Sequence, residues 1–211
     1  MKLEPLLLLP GMMCDRRMYA SQISALEDLT ECQVGNINGA NNMVDIAAQV
    51  LAQAPDKFAL AGLSMGGIVA MEIIRQAPER VTRLALMNTN PCAEEDAVKV
   101  TRQPQIDLVR AGQLEPMLRD TMVPRYFATQ EAHSQFDQLC VDMALSLGED
   151  VFVRQSLALK NRRDQRETLA LFDKPCLVLM GEADEICPLE THECMVTLLS
   201  NVTFVKIHNA G

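Results

Sequence analysis

The pentapeptide Gly62-Leu63-Ser64-Met65-Gly66 constrains this chain more than any other segment. It follows the apolar run Phe58-Ala59-Leu60-Ala61 and precedes a stretch of helical character from Gly67 to Arg75. A serine held between glycines where a strand turns directly into a helix has the layout of a nucleophile elbow. The tight turn pushes the hydroxyl out of the sheet, and small residues on either side let neighbouring backbones pass closely. The helix that follows aims its free N–H groups and the positive end of its dipole at the same place. A serine also serves as an inert helix cap, so the elbow reading needs partners elsewhere in the chain.

A chain of 211 residues is long enough for one well-cored domain and short for two. With 48% hydrophobic and 22% charged residues it reads as an ordinary globular protein rather than a disordered or fibrous one. A net charge of −9 argues against nucleic acid or an anionic membrane surface as partner. Near the start, Leu6 to Leu9 is too short for a signal-peptide core, and Glu4 and Pro5 precede it, so a buried strand is the expectation. No apolar run reaches transmembrane length. Seven cysteines without a CxxC pair read as reduced thiols in a cytoplasmic protein. Cys187, His192 and Cys194 match no familiar zinc spacing, and no cofactor motif is visible, so neither metal nor cofactor is expected.

Strand and helix patterns alternate along the first half. Strands are expected at Leu6–Leu9, near 32–37, at Phe58–Leu63 and at Val81–Met87, with helices over 17–29, 43–54 and 65–77 between them. Repeated βα units of this length imply a parallel sheet with helices on both faces. From about Pro91 to Phe172 the patterns are helical only, including 113–123, 131–147 and 153–171, which reads as a helical insertion. The basic run Lys160-Asn161-Arg162-Arg163 is interleaved with Asp164 and Glu167 and reads as a solvated helix face. Strand logic resumes over 175–181, followed by a helix over 189–199 and a last strand over 202–207.

Taken in order, Leu6-Leu7-Leu8-Leu9-Pro10-Gly11-Met12, Gly62-Leu63-Ser64-Met65-Gly66-Gly67, Pro78-Glu79-Arg80-Val81 and Leu177 to Pro188 resemble the α/β-hydrolase superfamily over essentially the whole chain. Within the superfamily it looks like the small bacterial hydrolases with a short helical cap, of the carboxylesterase and enol-lactonase type. The resemblance implies a single α/β-hydrolase domain over 1–211, a mostly parallel central sheet flanked by helices, and a helical cap at about 91–172. It also implies Ser64 as nucleophile, with the backbone N–H groups of Met65 and Met12 forming the oxyanion hole. Asp184, three residues after Gly181 at a strand end, matches the acid that orients a histidine. Glu182 and Glu185 stand in the same loop as competitors, while Asp142 and Asp164 read as surface residues of the insertion.

The superfamily's chain order is Ser, Asp, then His, with the histidine in the loop after the last strand. Here that loop begins His208-Asn209-Ala210-Gly211, and Gly211 matches the glycine that precedes the histidine in relatives. The triad histidine and the final helix are therefore expected to be missing from these 211 residues. Three explanations stay open: a sequence incomplete relative to an active parent, a natural non-catalytic protein, or His208 acting as base. Four residues of extended chain span roughly 13 Å, so His208 would need a rearranged loop. His133 and His192 match no triad position.

The expected function is that of a serine hydrolase on small carboxylic esters, thioesters or lactones, acting through an acyl-serine and impaired by the missing base. The alternatives are a non-catalytic binding protein on the same fold, and a lyase or acyltransferase on the same framework. A sheet face left without a covering helix would favour a homodimer.

Overall fold

The computed structural model of the protein describes residues 4–211. Six strands form one sheet in the order β2-β1-β3-β4-β5-β6, every neighbouring pair parallel. They are β1 (Leu6–Leu9), β2 (Cys32–Val34), β3 (Phe58–Leu63), β4 (Val81–Met87), β5 (Cys176–Gly181) and β6 (Val202–Ile207). Leu9 pairs with Gly62, Leu63 with Met87, and Met87 with Leu179. That register brings the carboxyl ends of β1, β3, β4 and β5 to one edge, where open α/β sheets place their sites.

On one face α2 (Met43–Gln53), α3 (Met65–Gln76) and α9 (Leu189–Leu198) cover the sheet. Leu7, Leu9, Phe58, Leu84 and Val178 pack there with Ile46, Val69, Ile73 and Met195 in one buried cluster. Asn42 starts α2 as an N-cap, its side-chain oxygen accepting from the Asp45 N–H at 2.9 Å. Every residue of α3 from Met65 to Ile74 is buried, which fixes the helix rigidly behind the serine turn. On the opposite face a 3₁₀ turn, Arg16–Tyr19, leads into α1 (Ala20–Leu26), and Tyr19 packs with Leu8 and Ala61. Further along that face Leu177 and Leu179 of β5 and Val205 of β6 are only half-buried, and Ile207 is exposed.

Between β4 and β5 lie α4 (Asp96–Arg110), α5 (Leu114–Met117), α6 (Gln130–Leu147), α7 (Glu149–Lys160) and α8 (Arg166–Ala170). Among the described residues this segment contains no strand. It has its own apolar cluster, including Ile106, Val109, Met117 and Phe152, into which Met13 from the loop after β1 also inserts. The helical pattern over 153–171 is not one helix: the chain leaves α7 at Asn161 and re-enters α8 at Arg166. Gln165 causes the break to be stable, because its N–H donates to the Pro91 carbonyl at 2.8 Å and its Nε2 to Glu72 Oε2 at 2.7 Å. Within the basic run at 160–163 Asn161 and Arg163 are exposed, but Arg162 departs from the expected solvated helix face, lying past the helix end with its side chain 7% exposed against Glu94. Among the described residues no helix is long and apolar enough to cross a membrane.

Candidate active site

Ser64 occupies the turn between β3 and α3 with φ 53° and ψ −117°, a backbone conformation that L residues rarely adopt. Three contacts hold it there. The Ser64 N–H donates to the Met87 carbonyl at 2.9 Å, and the Ser64 carbonyl accepts from the Thr89 hydroxyl at 2.7 Å and from the Gly67 N–H at 2.9 Å. The flanking glycines are required by close approach: a Cβ at Gly66 would overlap the Leu9 carbonyl oxygen, and one at Gly67 would lie 2.5 Å from Thr89 Oγ1. The Ser64 side chain makes no cap hydrogen bond to α3, so its hydroxyl is not spent on the helix. The Met65 N–H, first of the helix, has no intrahelical acceptor. The loop after β1 passes alongside, since a Cβ at Gly11 would sit 3.8 Å from Ser64 Cβ.

Met12 and Ser64 line two adjoining cavities, one of about 330 Å³ and one of about 260 Å³. The smaller is also lined by Asp184, Asn88 and Gly211. Asp184 follows β5, and its carboxylate is fixed from three sides. Oδ1 accepts from the backbone N–H groups of Ile186 at 2.8 Å and Cys187 at 2.9 Å, and Oδ2 accepts from Asn88 Nδ2 at 2.7 Å. Glu182 and Glu185 are exposed, and Glu182 turns outward to His208, so Asp184 alone of the three faces the serine's cavity.

None of the histidines lines either cavity. His208 is 80% exposed, with Nδ1 2.7 Å from Glu182 Oε2. His133 packs edge-on against Phe127. His192 is fully buried in α9, its Nδ1 3.2 Å from the Pro188 carbonyl and its Nε2 without a partner.

The family model described as "Serine aminopeptidase, S33" (Hydrolase_4) matches residues 33–208. The chain belongs to this family, within the α/β-hydrolase superfamily. It is 30% identical over 179 residues to a pimeloyl-[acyl-carrier protein] methyl ester esterase of Pectobacterium carotovorum, covering 82% of this chain and 70% of that protein. A second such esterase, from Citrobacter koseri, is 31% identical, and the match spans 71% of this chain and 60% of the relative. Among solved structures, a thermophilic esterase from Thermogutta terrifontis with malate bound superposes with a TM-score of 0.89 at 28% identity, covering 100% of this chain and 83% of that one. An enol-lactonase from Burkholderia xenovorans LB400 shares the fold, with a TM-score of 0.83 at 19% identity over 97% of this chain and 83% of the other.

This α/β-hydrolase chain uses residues around the elbow that carry no motif. Asn88 and Thr89, at the end of β4, hold Asp184 and the Ser64 carbonyl respectively. Their only sequence signal is two polar residues closing an apolar strand at the edge where the elbow also emerges. Gln155, buried in α7, reaches across to the loop after β1, where its Oε1 accepts from the Met13 N–H at 2.8 Å. Met13 has φ 56°, and Gln155 Nε2 donates onward to Asn38 Oδ1 at 2.9 Å. The thiols near the serine are poor rivals to it. Burial, with help from Cys140 and Asp15, pushes the Cys14 thiol up to about 12, and burial with Asp184 beside it pushes Cys187 up to about 12. Burial likewise pushes Cys140 up to about 11, so all three stay protonated and weakly nucleophilic near neutral pH.

Proposed function

We propose that this protein acts on small carboxylic esters, thioesters or lactones through an acyl-enzyme formed on Ser64. The observation that carries this reading is the strained elbow that leaves the Ser64 hydroxyl uncommitted in a cavity shared with Asp184. In the proposed chemistry Ser64 Oγ adds to the carbonyl carbon, and the Met65 and Met12 N–H groups donate to the oxygen that gains charge. Collapse expels the alcohol or thiol, and water then hydrolyses the acyl-serine. Asp184 is placed to orient a base that takes the Ser64 proton and passes it to the departing alcohol or thiol, a position that none of the three histidines here occupies. The esterase relatives support this substrate class.

Gly211 lines the same cavity as Ser64 and Asp184, so the loop after β6 reaches the place that a base would occupy. A fluorophosphonate probe tests the reading. It should label the 211-residue chain slowly and a chain extended beyond Gly211 by histidine and a covering helix much faster, and Ser64→Ala should abolish both. An extended chain that is never labelled sinks the hydrolase reading and favours the non-catalytic one.

The segment from about 91 to 172 serves as the cap of a single domain, because it supplies walls to both cavities. Seven free cysteines favour a reducing, cytoplasmic location. The half-buried leucines of β5 and Ile207 of β6 favour homodimerisation. Light scattering after size exclusion should show a concentration-dependent dimer that Leu179→Lys weakens; a monomer at every concentration counts against it.

A further inference from the structure

The larger cavity beside Ser64 has a charged wall. Arg102 of α4 and Arg162, just past α7, converge on Glu94, with Arg102 Nη2 2.6 Å from Oε2 and Arg162 Nη1 2.5 Å from Oε1. Glu94 is 6% exposed, and the two arginine side chains are 14% and 7% exposed. Arg125 lines the same cavity, exposed and without an ion pair among the described residues, and Glu95 lines it as an exposed carboxylate. Three cations therefore face two carboxylates, leaving one positive charge in excess on a chain whose formal net charge is −9.

Two further observations say that this excess faces something other than protein. A guanidinium carries five N–H donors. Glu94 takes Arg102 Nε and Nη2 and Arg162 Nη1, and the Cys92 carbonyl takes Arg162 Nε at 2.9 Å. Arg102 Nη1 and Arg162 Nη2 find no protein acceptor among the described residues, yet neither is a fully enclosed atom lacking a partner, so each keeps some accessibility. Buried charge is normally paired. Burial pulls Arg162 below the ordinary arginine value, Glu94 opposes this and Arg102 reinforces it, in keeping with a cluster one carboxylate short of balance.

We propose that Arg102, Arg125 and Arg162 form an anion subsite of the Ser64 cavity, so that the substrate is an ester carrying a second, free carboxylate. The proposal deepens the reading of Ser64 as acyl acceptor and rests on it. A monocarboxylate cancels the single excess charge, whereas a phosphate dianion would overshoot it. The planar guanidinium fork also matches a carboxylate's two oxygens. A cavity of about 330 Å³ suits a short substrate of this kind.

Calorimetric titration of the Ser64→Ala chain, which cannot form an acyl-serine, tests the subsite separately from turnover. Monomethyl glutarate should bind about tenfold more tightly than dimethyl glutarate, as charge-assisted hydrogen bonds predict. Arg102→Gln should remove that preference, Arg125→Gln should reduce it several-fold, and Glu94→Gln should increase it. Arg125 is exposed and has no ion pair among the described residues, so its variant remains informative if Arg102→Gln fails to fold. Equal binding of the two esters, binding of neither at millimolar concentration, or a preference untouched by both arginine variants overturns the proposal and leaves the cluster as a purely structural lock. Tighter binding of inorganic phosphate than of the monoester overturns the carboxylate assignment. Fluorophosphonate labelling of unmutated Ser64 without an anion preference would defeat the subsite alone; the preference without labelling would defeat the serine reading alone.

Discussion

At Ser64 the backbone holds a non-glycine residue at φ 53°, and such conformations typically cost about 1–3 kcal/mol. The strain is maintained by the Met87 carbonyl, the Thr89 hydroxyl and the glycines that bring α3 against β1. Ser64→Gly should therefore stabilise the fold by about 1 kcal/mol, with the extra freedom of an unfolded glycine taking back part of the gain. Ser64→Ala should leave the strain in place. Urea denaturation of the three chains checks this, and equal midpoints for glycine and serine would show that the turn stores no strain. The same residue shows why some of the site is legible in sequence. Ser64 and Asp184 sit at strand ends marked by glycine, because a sharp turn and a close backbone approach restrict residue type. Arg162 is opaque for the converse reason: a run of basic residues reads the same whether it faces water or a buried carboxylate, and only the break at 161–165 turns it inward.

Among the elements, α7 ties the helical segment to the serine's surroundings through a buried polar side chain. Gln155 is buried and accepts from the Met13 N–H while donating to Asn38, so it fixes the loop that carries Met12. Gln155→Leu leaves a buried N–H unmatched, which should cost about 1–3 kcal/mol and slow fluorophosphonate labelling of Ser64. Gln155→Glu keeps the acceptor for Met13 and loses the donor to Asn38, so it should retain most of the labelling rate. Equal rates for all three chains would mean that the loop needs no support from α7. The alternation of strands and helices was readable because each βα unit combines an apolar run with a helical period. The end of α7 was not, since Asn161–Gln165 contains neither glycine nor proline, and the signal for it is a hydrogen bond from Gln165 to Pro91, far away in sequence.

Over the whole molecule, two buried titrating groups contribute to how stability responds to acid, and both act in the same direction. Burial pulls His192 below its ordinary value of 6.5, against the opposing influence of the Pro188 carbonyl and the Asp184 charge. The unfolded chain then binds the proton first, so His192's contribution is fully present above 6.5 and is lost as pH falls through the lower folded value. Glu72 is also buried, and burial alone would push its carboxyl up, yet hydrogen bonds from Arg75, Gln76 and Gln165 outweigh that and bring it below 4.5. Its contribution is present above 4.5 and is lost on further acidification, when the carboxylate that joins α3 to Gln165 becomes protonated. Urea midpoints measured across the acid range should accordingly fall in two steps. His192→Gln should remove the first step and leave the second, because it deletes the only histidine that the fold encloses completely among the described residues. A first step that survives in that variant would mean that His192 is not its source and that the fold tolerates a charged His192.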